Sequence, residues 1–196
     1  MGAKILKTPF DGVTRLQDLS PDDLDELPGT NTPAFPSREL CRVLILGCGN
    51  SSFGQDMIND GWTGDIVNVD YSSVVIDQMI KKHDTIDEGE EKQATMRYVC
   101  ADITHGLPFD DGSFDLIICK GTFDAILCSN GSVSSIKRLV AECDRVLAHG
   151  HGCLIVVTHG NPDNRVVFFE HENDPTYYWE GICIATVPKR NKDTAP

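Results

Sequence analysis

No run of 18 apolar residues occurs anywhere in the 196-residue chain, so no membrane-spanning helix and no membrane partner are expected. The opening stretch, MGAKILKTPFDG, has no apolar segment of secretory length, and no leader is expected there. Its Met-Gly start fits N-myristoylation only if serine or threonine stands at position six, which is Leu6. Basic residues are scarce: 17 Lys plus Arg stand against 30 Asp plus Glu, a formal charge of −13. Phosphate backbones need a basic surface, so nucleic acid is not an expected partner. The same charge suits simple solubility, or encounter with a basic protein. None of the eight cysteines stands in a C-x-x-C pair, so no zinc cluster and no metal are expected. Several fall within apolar, strand-like runs, where a free thiol behaves as a small hydrophobe. That usage points to a reducing, intracellular compartment, the cytoplasm. There is no internal repeat and no low-complexity tract. With 40% apolar and 24% charged residues, the chain has the composition of one soluble domain with a sizeable core, expected as a monomer.

The pattern changes near residue 40. Residues 1–40 read as an irregular arm rich in proline and aspartate, with one short helix starting at Ser20-Pro21 and stopping at Pro28-Gly29. Residues 41–190 alternate strands and helices, and 191–196 form a tail. RVLILG is a β-rich apolar run, buried on both faces, and SSFGQDMINDGW follows as a helix. GDIVNVDYS is the next strand. Ser72 or Ser73 caps the helix SVVIDQMIKKH, whose inner face is read as Val75, Met79 and Ile80. DTIDEGEEKQA is a charged, solvated loop. MRYVCAD and FDLIICKG are strands, with the turn cluster GLPFDDGS between them. A long helix follows, with Ile136, Leu139, Val140, Cys143, Val146 and Leu147 on one stripe and Gly150 as its stop. GCLIVVTHG is a strand, and YYWEGICIATVPK a late strand with the partial alternation of an edge or antiparallel partner. The sum is an α/β fold: a doubly wound, mostly parallel, Rossmann-like sheet with an antiparallel late strand.

Ligands of such sheets sit beyond the carboxyl ends of the strands. The first of these strands delivers GCGNSS, with Gly47 and Gly49 opening a G-x-G turn whose third glycine is replaced by Ser52. The helix that follows offers free N–H groups to a carboxylate or phosphate. The second strand delivers Asp70, 21 positions after Gly49, placed to accept from both hydroxyls of a ribose. The third delivers Asp102 and Ile103, a carboxylate for an adenine amine and a cover for the ring, or else merely a turn aspartate. NAD needs a pyrophosphate cradle with its third glycine. S-adenosylmethionine has no phosphates and uses an adenine carboxylate after the third strand. Both differences favour S-adenosylmethionine.

The stretches VLILGCGNSSFG, IVNVDYSSVVIDQM, RYVCADIT, LPFDDGSFDLIICKGTFDAIL and VLAHGHGCLIVVT resemble successive motifs of class I S-adenosylmethionine-dependent methyltransferases. The match is to the methyltransferase-like group that includes the translation elongation factor and citrate synthase lysine methyltransferases. The resemblance covers about residues 42–160, with a weaker echo of the group's P-x-x-R segment in GNPDNR. It implies cofactor contacts from Gly47, Cys48, Gly49 and Asn50, ribose contacts from Asp70 with Tyr71 flanking the adenosine, and adenine contacts from Asp102 and Ile103. Lys120 is implied beside the methionine end of the cofactor. Two departures stand out. Cys119 replaces the acid that the group carries before Lys-Gly-Thr, and the proline-rich arm replaces an aromatic Y-W-x-x-R-Y helix.

The resemblance implies methyl transfer to protein, with a lysine amine as acceptor. The alternatives are a small-molecule acceptor, or a cofactor-fold module that binds a partner without catalysis; an NAD oxidoreductase stands further off. A lysine must lose its proton before it attacks, since its reference pKa is about 10.4. Asp124, one turn past the strand end, is the residue expected to orient the incoming amine. Lys120 either holds the cofactor carboxylate or pairs with Asp124 as an i,i+4 ion pair. Arg165 is either a clamp for an acidic group of the substrate or a solvated loop arginine.

Overall fold

The computed structural model describes residues 3–4, 14–15, 36–84, 95–129, 132–169 and 182–184. In chain order the strands are β1 (Ala3–Lys4), β2 (Thr14–Arg15), β3 (Val43–Leu46), β4 (Asp65–Asp70), β5 (Thr95–Cys100), β6 (Leu116–Lys120), β7 (Cys153–Val157) and β8 (Cys183–Ile184). The helices are α1 (Phe53–Asn59), α2 (Ser73–Asp84), α3 (Thr122–Leu127), α4 (Ser132–Val146) and α5 (Asp163–Val166). The main sheet runs β1-β7-β6-β3-β4-β5. Its five long strands are all parallel, and β1 pairs antiparallel with β7 at the edge.

Both faces of this sheet are buried, which is why its central strands read as unbroken apolar runs. On β3, Leu44 and Leu46 enter one core while Val43 and Ile45 enter the other. On β6, Ile117 and Cys119 share the first core, and Leu116 and Ile118 the second. Helix α4 seals the first with Ile136, Leu139, Val140, Cys143 and Val146, all buried as the 3.6-residue period predicts. Each such aliphatic side chain contributes about 1.5–3 kcal/mol. Leu147, the sixth residue of that stripe, lies just past the helix and bridges to Phe114. Helix α1 covers the second core with Met57, and α2 with Ile76.

The turn GLPFDDGS is held by Arg145. Its guanidinium donates to the carbonyls of Leu107 and Phe109 and pairs with Glu142 and Asp111. At the opposite end of the strands from the glycine turn, Arg42 makes a two-pronged bond to Asp115 at 2.7 and 3.0 Å, and its backbone N–H donates to the same carboxylate. The Arg42 guanidinium outweighs the cost of burial and holds the Asp115 carboxyl at about 2.

Several expectations need correction. The inner face of α2 is Ile76 and Met79 with half-buried Val75; Ile80 is 38% exposed. Ser72 precedes the helix and accepts from the Val75 N–H, and the helix packs on the second core through Ile76. The late strand is not antiparallel: β8 runs parallel to β2 in a separate two-stranded sheet. Partial alternation reports half-burial, which an edge position satisfies in either direction. Helices α3 and α5 were not anticipated, nor were the short strands β1 and β2 within the arm. The arm helix at Ser20, the charged loop after Asp84 and the tail at 191–196 lie outside the described residues. Among the described residues, no helix is long and apolar enough to cross a membrane.

Candidate active site

The glycine turn closes on the end of β6. Gly47 and Gly49 both have left-handed backbones, at φ +63 and +53. A Cβ on Gly47 would fall inside the Thr122 side chain, whose hydroxyl donates to the carbonyls of Leu46 (3.0 Å) and Gly47 (3.3 Å). Gly47 is thus required twice, by its φ and by its neighbour. Gly121, also left-handed at φ +77, turns the chain so that its N–H reaches the Val157 carbonyl at 2.9 Å. Gly and Thr of the Lys-Gly-Thr signature are therefore the parts that lock β6 to β3 and β7. Thr122 is visible in the sequence as part of the Lys-Gly-Thr signature, but its clamp on the glycine turn is not, because Leu46 and Gly47 lie 75 to 76 residues away.

Asp70 ends β4 with 8% exposure. Its Oδ2 accepts from the Gly49 N–H at 2.9 Å and its Oδ1 from the Ser72 N–H at 3.0 Å. A carboxylate has about four lone-pair sites, so two remain for ligand hydroxyls. Tyr71 stands beside it, 80% exposed. Asn50 is exposed at the tip of the turn.

Asp102 behaves locally as a turn aspartate. Its Oδ1 accepts from the Thr104 N–H and hydroxyl, and its Oδ2 lies 2.9 Å from His105 Nδ1. The Thr104 hydroxyl, its N–H and His105 together hold the Asp102 carboxyl below its usual range. Ile103 is 7% exposed and belongs to the first core, so little of it is left to cover a ring.

Lys120 and Asp124 do not pair. The Asp124 carboxylate instead turns toward the end of β7. Its Oδ1 accepts from the Thr158 hydroxyl and from Arg165 Nη2 at 3.1 Å; its Oδ2 accepts from the His159 N–H at 2.8 Å. His159 Nδ1 lies 3.5 Å from the same Oδ2. Burial pushes this carboxyl up, but the bonds from Thr158, His159 and Arg165 together outweigh it and leave the group below its usual range. Arg165 is not a solvated loop arginine: it is tucked in at 21% side-chain exposure, its Nε donates to Thr158 Oγ1 at 3.1 Å, and a Cβ on Gly160 would enter its guanidinium.

Cys119, which stands in place of the group's acid, is 1% exposed and faces the first core. Burial pushes its thiol up to about 12, and that of Cys48 to about 11. Neither thiol is a nucleophile at neutral pH.

Behind the glycine turn, on the α1 side of the sheet, a small cleft opens to solvent. Gly47, Cys48, Ser51, Phe53, Asn68 and Lys120 line it. Asn68 is 3% exposed, and its Nδ2 has no hydrogen-bond partner. No reading of the sequence had pointed to Asn68, which looks like one polar break in an apolar strand.

A parallel sheet with a G-x-G turn on its first long strand, a buried acid ending the second and no third glycine defines a nucleoside-binding α/β domain of the methyltransferase class. The chain belongs to that family: residues 44–155 match the model described as a methyltransferase domain. It is 33% identical over 150 residues to bovine "EEF1A lysine methyltransferase 4", covering 72% of this chain and 54% of that protein. It is 36% identical over 111 residues to mouse "eEF1A lysine and N-terminal methyltransferase", covering 56% of this chain and 15% of that protein. The chain thus spans about half of the first relative's length and a smaller part of the second's. A SAM-dependent methyltransferase from Methanosarcina mazei shares the fold, with a TM-score of 0.51 at 18% identity over 85% of this chain and 78% of that one. The class I methyltransferase architecture carries S-adenosylmethionine as its cofactor, and the residues here fit it. Asp70 keeps free lone pairs for the ribose, the two left-handed glycines leave room for backbone to approach, and the orphan amide of Asn68 marks a polar group awaiting a partner.

Proposed function

We propose that the protein methylates the ε-amine of a lysine in a protein substrate, using S-adenosylmethionine. The observation that carries this reading is Asp124, an ionised carboxylate held by Thr158, His159 and Arg165 where the ends of β6 and β7 meet. An anion fixed there suits an incoming ammonium or amine, and both curated relatives carry lysine methyltransferase in their names. The acidic charge of −13 favours encounter with a basic partner.

S-adenosylmethionine, when bound, supplies an electrophilic methyl group on a sulfonium, and its leaving group is neutral. No strong acid is then needed from the protein, whose work is positioning. Asp70 would hold the ribose hydroxyls. Gly47, Cys48, Gly49 and Asn50 would give the backbone surface of the turn, with Tyr71 beside the adenosine and Asp102 and Ile103 toward the adenine. Lys120 would stand at the methionine end. Asp124 Oδ2 would accept a hydrogen bond from the acceptor nitrogen and direct its lone pair, and the lysine proton would leave to water past exposed His159. Arg165 and Thr158 hold Asp124 in that orientation and act as positioning residues.

The test is incubation of the purified protein with methyl-labelled S-adenosylmethionine and cell extract. Label on a protein band, mapped by mass spectrometry to lysine, is the expected result. Label only on small molecules would replace the substrate class. Cofactor binding without any transfer would make the protein a binding module.

A further inference from the structure

Asp124 keeps one acceptor site open, and a histidine ring stands beside it. A carboxylate has about four lone-pair sites. Oδ1 takes the Thr158 hydroxyl and Arg165 Nη2, and Oδ2 takes the His159 N–H. The last site is on Oδ2, and His159 Nδ1 lies 3.5 Å from that atom. Such a separation is too long for a good hydrogen bond. Oδ2 and Nδ1 are therefore two acceptors side by side, neither one satisfied by the other.

Two other histidines face carboxylates, and both are placed differently. His105 Nδ1 lies 2.9 Å from Asp102, and His151 Nε2 lies 3.2 Å from Asp115, each within bonding reach. Asp115 is also at the opposite end of the strands from the glycine turn. His159 sits in the turn just past β7, at the ligand end, where its backbone bond to Asp124 fixes the start of the side chain. The side chain is 88% exposed, so its outer edge meets water. The charged groups gathered here are Asp124 from α3 and Arg165 from α5, which pair with each other. Lys120, at the end of β6, lines the cleft behind the glycine turn instead.

A lysine arrives as an ammonium with three N–H donors. Two acceptors 3.5 Å apart can meet two of those donors at once. With a reference pKa of about 10.4, the ammonium is deprotonated only about once in a few thousand encounters at neutral pH. A base beside it raises that chance, and imidazole is the side chain that ordinarily changes charge between about pH 5 and 8.

We propose that His159 is a catalytic residue, the base that takes a proton from the substrate ammonium while Asp124 Oδ2 holds the same nitrogen. One N–H bond breaks. Its electron pair stays on nitrogen as the lone pair that attacks the methyl group, and the proton bonds to Nδ1. The imidazolium, favoured by the neighbouring carboxylate, then gives a proton to water from its exposed edge. This rests on the lysine acceptor proposed above, and the wild type tests that reading by itself.

The test is the pH profile of label transfer from methyl-labelled S-adenosylmethionine to lysine in cell-extract protein, from about pH 6.5 to about pH 9.5. Wild type, His159→Gln and His159→Ala are compared. Near pH 7 both variants should be slower by about tenfold to a hundredfold. The gap should close as pH rises, because the free amine then forms without a base. Added imidazole should restore His159→Ala. Calorimetry with S-adenosylhomocysteine and melting curves should match the wild type in both variants, since the His159 bond to Asp124 comes from the backbone. Variant profiles parallel to that of the wild type, with no rescue by imidazole, would overturn the assignment. A wild type that labels no lysine would overturn the acceptor reading, and this inference with it.

Discussion

The two halves of the proposed site are built to different degrees of completion. The cofactor half, at the ends of β3 and β4, leaves groups open: two lone pairs on Asp70, the exposed tip at Asn50 and the amide of Asn68. The acceptor half, at the ends of β6 and β7, is satisfied within itself, because Asp124 takes donors from Thr158, His159 and Arg165. Groups left unpaired wait for a ligand that supplies the missing bonds. Groups already paired present a charge whose direction is set in advance, which is how a protein positions a reacting atom without rearrangement.

That contrast can be broken most forcefully at the hinge between the halves. Gly47→Ala forces a Cβ into Thr122 at a left-handed φ, and a loss of about 2–4 kcal/mol in stability is expected by denaturant titration. If Gly47→Ala folds with unchanged stability, Thr122 does not clamp the turn.

The next effect lies at the far end of the strands and serves as a control for both halves. The folded-state carboxyl of Asp115 is depressed to about 2 from an ordinary 3.8, so its contribution is present above the ordinary value and lost as pH falls through the folded one. Stability should drop by on the order of 2 kcal/mol between about pH 4 and pH 2. Arg42→Met should flatten that drop, as read from urea midpoints across the pH range.

Within the cofactor half, Asp70→Ala should weaken S-adenosylmethionine binding by roughly 1–3 kcal/mol, because ribose hydroxyls lose their acceptor. Unchanged affinity in calorimetry would remove Asp70 from the site. In the acceptor half the smallest change is expected. Arg165→Lys keeps the charge but cannot hold Thr158 and Asp124 together, and should lower methyl transfer by about tenfold, near 1.4 kcal/mol, while cofactor affinity stays constant. If Arg165→Lys instead weakens cofactor binding and spares turnover, the division into halves fails.

Much of the cofactor half was legible in the chain because its logic is local. A glycine pair after an apolar run and an acid 21 positions on are spaced by one strand–helix–strand unit, and the parallel sheet brings them together at 2.9 Å. The acceptor half was legible only in part. Asp124 stood out by its place after β6, but its partners come from the turn just past β7 and from α5, 34 to 41 residues away, and no local pattern ties them. The Lys120–Asp124 pair, one of two readings of Lys120 at i,i+4 spacing, gives way to a bond from Arg165 to Asp124. Cys119 was suspect as a lost acid, yet the alternation of β6 turns it into the core and away from the chemistry.

The sequence by itself determined the α/β class, the parallel sheet and the nucleoside-binding ends of β3 and β4, because hydrophobic period and glycine spacing act over one or two elements. Tertiary structure alone decided which polar groups meet across strands. It set Thr122 under Gly47, Arg165 on Asp124, and Asn68 without a partner at the wall of a cleft. Those pairings depend on how far apart the ends of separate strands lie, and that distance is a property of the packed sheet rather than of any segment within it.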